Sequence, residues 1–405
     1  MRKKNIPAHP TTRPRLVRAK KDLNRLATRP HFRAMRREIA LPSAARRLSV
    51  GLLALGALLL VTGCNVMGPR AMRTAAQPYN ESVSTVGDEQ LLLNIVRLRY
   101  RDTPTFLEIT SISTAYDRVA GLGAEGQIRE GAGSNALLLR PNLSVSERPT
   151  VTYVPMQGDR FAKNLLSPLP AEALVYLSQS GWSTERIFRA CVQRANRLRN
   201  APTASGPTPL EAPEFEAFRT MAASLRRLQQ ADAVYLLPVA GDDNGAAKLV
   251  IDPEWRNSPE ALHFKESLGL DPSLDVFPIV PGLTQIDDRS IAVSTRSLLG
   301  VLFYFSQAVE VPPAAEAAGT VTTTLRPDGT RFSWEPVFEN LFRVRRAETT
   351  PRDAYLKTRY RGGWYYIDDA DLDSKSTFFM LDLLFAIQSG DSRALTPVLT
   401  LPISR

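Results

Sequence analysis

A chain of 405 residues with 43% hydrophobic and 23% charged content has ordinary globular composition and enough length for a sizeable core. Its formal charge of +10 sits at the start: residues 1–49 carry fifteen Lys and Arg against Asp22 and Glu38, while residues 50–405 carry 36 basic and 39 acidic residues, a net of −3. Beyond the first fifty residues there is thus no basic balance to attract nucleic acid. Two cysteines are too few for a disulfide-stapled domain, and three histidines, two of them before residue 32, leave no multi-histidine zinc site.

The chain opens with a basic, proline-dotted extension over 1–34. Met35-Arg36-Arg37 would begin a leader of normal length, so translation is expected to start there. Arg46-Arg47 precede an uncharged run, Leu48–Thr62, of fifteen residues. A bilayer-spanning helix needs about twenty residues; about fifteen is the length of a signal-peptide core. Val61-Thr62-Gly63-Cys64 follows in register and resembles the bacterial lipobox, in which an aliphatic and two small residues precede the acylated cysteine. Residues 35–63 are therefore expected to be cleaved and Cys64 to carry lipid. At about 0.8 kcal/mol per buried methylene, two or more acyl chains hold a protein stably on a membrane. By the same resemblance, Asn65 in place of Asp directs the protein to an outer membrane, facing the periplasm.

After a lipidated tether over 64–78, Tyr79–Tyr100 is predicted as a helix, with Asp88-Glu89 early, Leu91, Leu92, Ile95, Val96 and Leu98 at apolar spacing, and Arg97, Arg99 and Arg101 at its end. Thr105–Thr114 alternates and is read as a strand. The glycine-rich stretch Gly121–Gly133 is read as a loop or loose hairpin, and Ala136–Val145 with Pro149–Val154 as a paired hairpin. Asp159–Leu166, Ala171–Gln179 and Ser183–Arg199 are predicted helices. In the last, Ile187, Phe188, Cys191, Val192, Ala195 and Leu198 fall on one arc, and Arg186, Arg189, Arg194 and Arg197 opposite. Those arginines read as a solvated face, with an anion-binding face as the alternative. Cys191 reads as a small buried hydrophobe.

Asn200–Pro213 has linker composition and divides an N-terminal subdomain, 79–199, from a C-terminal one, 214–405. In the second, helices are predicted at Glu214–Gln230, Ser258–Leu268, Arg296–Val309 and Thr377–Gln388. Strands are predicted at Ala233–Val239, Ala247–Ile251, Asp275–Val280, Ser290–Ser294, Leu341–Arg346, Ala354–Arg359, Trp364–Ile367 and Pro397–Ile403. Turns fall at 242–245 and 326–329. Hairpins interspersed with helices, without strict βα alternation, imply an α+β fold with mainly antiparallel sheet.

No residue set is nominated as catalytic, no cofactor is implied, and no metal site is assigned. His263 lies in a helix with no nucleophile elbow nearby. Asp368, Asp369, Asp371 and Asp373 have the alternate spacing of half a calcium loop, but Ser374 stands where glycine is needed and Met380 where a bidentate glutamate is needed. As caps and dipole partners of the following helix they have an ordinary role. Arg361 and Trp364, in Tyr360-Arg-Gly-Gly-Trp-Tyr-Tyr366, suit stacking on sugar or peptide, or simply cover a sheet. Asp382, inside the apolar run Phe378–Ile387, is expected to need a partner among Arg343, Arg345 and Lys375.

Three segments, Gln90–Pro104, Thr295-Arg-Ser-Leu-Leu-Gly300, and Arg361–Asp369 with Asp373–Phe378, resemble uncharacterised bacterial lipoproteins along nearly the whole mature chain. That resemblance implies an address and no activity. The expected function is a lipid-anchored, non-catalytic interaction or assembly module of the cell envelope. It would be held to the membrane by lipid on Cys64 and meet envelope proteins or glycan, not nucleic acid. The alternatives are a carboxylate-based glycan hydrolase using Asp368–Asp373 and a muropeptide-binding module.

Overall fold

The computed structural model describes residues 80–127, 136–239 and 247–389. Cys64 with its leader, the turn at 242–245 and the strand expected at 397–403 lie outside them. The chain divides into two units, 1–74 and 75–405, and all described residues belong to the second.

The first helix, α1 (80–99), buries Leu91, Leu92, Ile95, Val96 and Leu98, the stripe its spacing predicts. Two long strands follow, β1 (Leu107–Gln127) and β2 (Ala136–Pro155), which among the described residues pair only with each other in an antiparallel ribbon. The expected loop over 121–133 is thus strand as far as Gln127, and the two segments expected to pair with each other form one continuous strand. Pro141 and Pro149 can stay in it because each strand of a two-stranded ribbon is an edge, where a missing N–H need not break a ladder.

Helices α2 (Asp159–Leu166) and α3 (Ala171–Gln179) match expectation. The helix expected over 183–199 does not. It runs only as α4 (Thr184–Cys191), opened by Ser183 Oγ accepting from the Arg186 amide. The chain then extends into β3 (Val192–Ala195) and, after Asn196 at φ 46°, into β4 (Leu198–Arg199). Tertiary partners override the helical periodicity. Arg296, fully buried, donates from Nη1 to the carbonyls of Ala190 (3.2 Å) and Val192 (2.7 Å), and from Nη2 to that of Asn200. Asn200 Nδ2 donates to the carbonyls of Arg189 (2.9 Å) and Val192 (2.7 Å). The carbonyls a helix end leaves unmet are taken by these two side chains. The four arginines do not share one environment: Arg197 is exposed, Arg186 and Arg194 are half-buried, and Arg186 pairs with Asp373. Arg189 is buried against Glu185 and the carbonyls of Val337 and Glu339, and Arg197 binds the carbonyls of Glu266 and Ser267.

The chain continues through α5 (Glu216–Gln230), β5 (Val234–Pro238), β6 (Ala247–Ile251), α6 (Pro259–Leu268), β7 (Val276–Pro281), β8 (Ile291–Thr295) and α7 (Leu298–Ser306). Strands β4-β3-β8-β7-β6-β5 form one sheet, antiparallel except for the parallel pair β7–β8. Because β3 and β4 precede residues 200–213 and β5 to β8 follow them, that stretch does not join two bodies. Ala201 and Ala204 are buried in it, and it is packed into one core.

Short helices α8 (Pro313–Ala317) and α9 (Glu335–Phe338) lead to a second sheet, β9 (Arg345–Ala347), β10 (Ala354–Tyr360) and β11 (Gly363–Asp368), in order β10-β11-β9. The strand expected from Leu341 starts only at Arg345. The last helix, α10 (Leu372–Ser389), begins five residues before its expected start because Asp371 caps it. The fold is α+β with mainly antiparallel sheet. Among the described residues no helix is long and apolar enough to cross a membrane.

Candidate functional site

The four aspartates of the segment between β11 and α10 do not converge. Asp368 pairs with Arg345 (3.2 Å), Asp369 with Lys375 (2.7 Å) and Asp373 with Arg186 (2.7 Å). Asp371 accepts from the amide (3.0 Å) and hydroxyl (2.7 Å) of Ser374, the N-cap geometry. Among the described residues no group of three or more His, Cys, Asp and Glu could hold a metal ion.

Arg361 and Trp364 do not share a recess. Arg361 (φ 44°) and Gly362 (φ 80°) are the two central residues of the β10–β11 hairpin, which needs positive φ at both. The Arg361 guanidinium lies 4.7 Å from the centre of the Tyr100 ring and 2.8 Å from Asp102, fastening the hairpin to the end of α1. Against burial, which would raise it, the hydrogen bonds from the Tyr360 hydroxyl and the Arg361 guanidinium hold the Asp102 carboxyl below its usual range. Trp364 is half-buried in β11, opposite Arg359 and Ala347. Gly363 is needed where it stands: a Cβ there would meet Arg346 Nε at 2.9 Å.

Other expectations resolve similarly. Cys191 is wholly buried, and burial pushes its thiol up to about 12. His263 is exposed on α6, its nearest polar neighbour being Ser267 at 3.5 Å. Asp382 pairs with none of the three bases expected for it, since Arg343 goes to Glu310, Arg345 to Asp368 and Lys375 to Asp369. It needs no such partner: α10 is not buried all round, and Asp382 lies on its exposed side, as does Phe379.

The best-formed recess is a cleft of about 910 Å³ between the end of α7, the segment 322–343 and the first turn of α10. Asp371 and Asp373 line one end; Asp368, Asp369, Arg361 and Trp364 do not line it. Its lining includes aromatic residues: Trp334 meets Phe332 edge-on at 5.3 Å and is fixed by its indole N–H donating to Thr324 (3.1 Å). The lining also holds arginines. Arg343 pairs with Glu310 at 2.7 Å, and Arg331 pairs with Glu316.

Arg99 lies between them and differs from both. It is 6% exposed, and its Nη1 donates to Gln307 Oε1 (3.2 Å) and to the carbonyl of Thr322 (3.0 Å). Its Nε has no partner, and among the described residues no carboxylate forms an ion pair with it. Burial pulls its pKa below the usual arginine range, while the field of Glu316 opposes that. A buried cation met only by neutral acceptors is costly, and an anionic group delivered to the cleft would relieve that cost. The signal was present in the sequence. Arg99 lies four residues after Ile95 and seven after Leu92, on the buried stripe of α1, although its position near the helix end suggested a dipole partner.

Arg99, Phe332 and Trp334 thus line one cleft, while Arg361 lies over the rings of Tyr100 and Tyr360. Comparison with family models, with curated proteins and with solved structures finds no match to this chain.

Proposed function

We propose that this chain is a lipid-anchored cell-envelope protein that acts by binding. Lipid on Cys64 would hold it to the membrane, with the folded body in the periplasm. There the cleft would take an anionic group of an envelope glycan or of a partner protein. Arg99 carries this reading: a nearly buried guanidinium that no carboxylate among the described residues pairs with, lining a cleft that Phe332 and Trp334 also line. Carboxylate-bearing muropeptides combine the two chemistries, charge for Arg99 and sugar faces for Trp334.

Calorimetric titration of muropeptides into the full chain in detergent tests the reading. Arg99→Gln should weaken binding at least tenfold, a loss typical of a charged contact, with Tm measured alongside. Arg361→Gln, outside the cleft, should leave it unchanged. Equal affinity for the parent and Arg99→Gln would reject the cleft as the binding site. Asp371 and Asp373 also line the cleft, so glycan hydrolysis deserves its own measurement. Asn caps a helix as well as Asp does, so glycan cleavage lost in Asp371→Asn with folding intact would replace binding by catalysis.

A further inference from the structure

We infer that the distal half of the β1–β2 ribbon enters a lipid bilayer, where ribbons from several copies of this chain close into one β-barrel. The argument starts from what the ribbon lacks. It is 21 and 20 residues long, and neither strand has a second neighbour among the described residues. At its base Leu107, Val151, Tyr153 and Val154 are exposed. A two-stranded ribbon is marginal in water, and two bare edges of this length invite pairing with further strands.

The register shows where the ribbon is suited to go. On one face of its distal half Ala120 stands opposite Leu143, Leu122 opposite Pro141 and Ala124 opposite Leu139. On the other face Gly121 stands opposite Asn142, Gly123 opposite Arg140 and Glu125 opposite Leu138. Residues of alternate type on alternate faces are the pattern of a membrane β-strand, apolar to lipid and polar to the lumen. The charge-free face ends at Arg118, whose partner is Val145, and at Glu147 opposite Tyr116. Beyond Arg118 there are nine register pairs, from Val119↔Ser144 to Gln127↔Ala136. A tilted strand crosses the hydrocarbon core in about 9–11 residues. The described part of that face is therefore long enough to reach across a bilayer.

Lipid supplies no hydrogen bonds, so the outer N–H and C=O groups of both strands must be paired before the ribbon is stable there. Among the described residues one chain offers them no third strand, whereas identical copies offer their own ribbons. The smallest membrane barrels have about eight strands, which sets about four ribbons as the minimum. Co-anchoring through Cys64 would raise the local concentration of copies, and in that respect alone the inference rests on the envelope reading. It does not depend on the cleft.

The test uses the full chain in vesicles of phosphatidylethanolamine and phosphatidylglycerol containing nitroxide-labelled lipid. An environment-sensitive fluorophore is placed through Leu122→Cys, Gly123→Cys, Leu139→Cys or Arg140→Cys. Positions 122 and 139 should be quenched by the lipid at least threefold more than 123 and 140. Chemical crosslinking should give a ladder reaching four copies or more. The double variant Leu122→Arg with Leu139→Arg should lose vesicle insertion at least tenfold while the body keeps its melting temperature. Equal quenching at all four positions, a monomer alone on crosslinking, or quenching of none with the ribbon held by another protein would overturn the inference. Absence of lipid from Cys64 in cells would remove the envelope reading and leave the vesicle result standing.

Discussion

Arg296 and Asp88 show how single residues set stability here. Among the described residues no carboxylate pairs with Arg296; its guanidinium is held by backbone carbonyls and lies 3.9 Å from the centre of the Tyr304 ring. Burial lowers its pKa to about 10, so it stays charged at neutral pH. Arg296→Gln leaves several buried carbonyls unmet and should cost roughly 3–5 kcal/mol in urea unfolding, while Arg296→Lys, which lacks the planar fork, should recover only part. Asp88 is the opposite case. Burial, with help from Asp382, raises its carboxyl from 3.8 to about 6. Between those values the folded state binds the proton more tightly than the unfolded state, so stability falls as pH rises from about 4 to 6 and the penalty is full above. Asp88→Asn should therefore raise Tm at pH 7.5 and leave it unchanged at pH 3.5. An equal shift at both would mean that the effect is not the proton. Nothing in the local sequence of α1 marks Asp88 as perturbed, because Asp382 reaches it only through the fold.

At the scale of elements, the predictions concern how helices begin and end. The cap of α10 is local: Asp371 bonds Ser374, three residues on, and was legible as a capping pattern. Asp371→Ala should cost about 1 kcal/mol and Asp371→Asn almost nothing in the same unfolding assay. Because each of the four aspartates is already engaged, millimolar calcium should leave Tm unshifted; a rise would show a site that the unbound side chains do not display. The end of α4 is not local. Its amphipathic arc continues to Leu198, yet residues 192–199 become strands because Thr295, Ser294 and Val293 of β8 pair with β3. Asn200→Ala, which removes two hydrogen bonds to Arg189 and Val192, should destabilise by about 2 kcal/mol although it lies outside any helix. Periodicity over 183–199 could not reveal this, since the competing partners are about a hundred residues away. The ribbon has the same lesson in reverse: glycines and prolines that signal a loop are tolerated where both strands are edges.

For the whole molecule, the decisive feature of the sequence is its change of character across the leader, basic over 1–47, apolar and uncharged over 48–62 and nearly neutral after Cys64. Cys64→Ser should abolish incorporation of labelled palmitate into the protein, and mass spectrometry of the unprocessed precursor should find no peptide from 5–30 if translation starts at Met35. The sequence alone determined the α+β class, the apolar stripe of α1, and the spans of α2, α3 and β6, because those depend on contacts a few residues apart or on a repeating pattern. Only the tertiary structure decided that residues 200–213 lie inside one body, that four spaced aspartates serve four separate bonds, and that Arg99 faces a cleft. Each of these is set by partners distant in the chain, and a buried charge is defined by what surrounds it rather than by what precedes it.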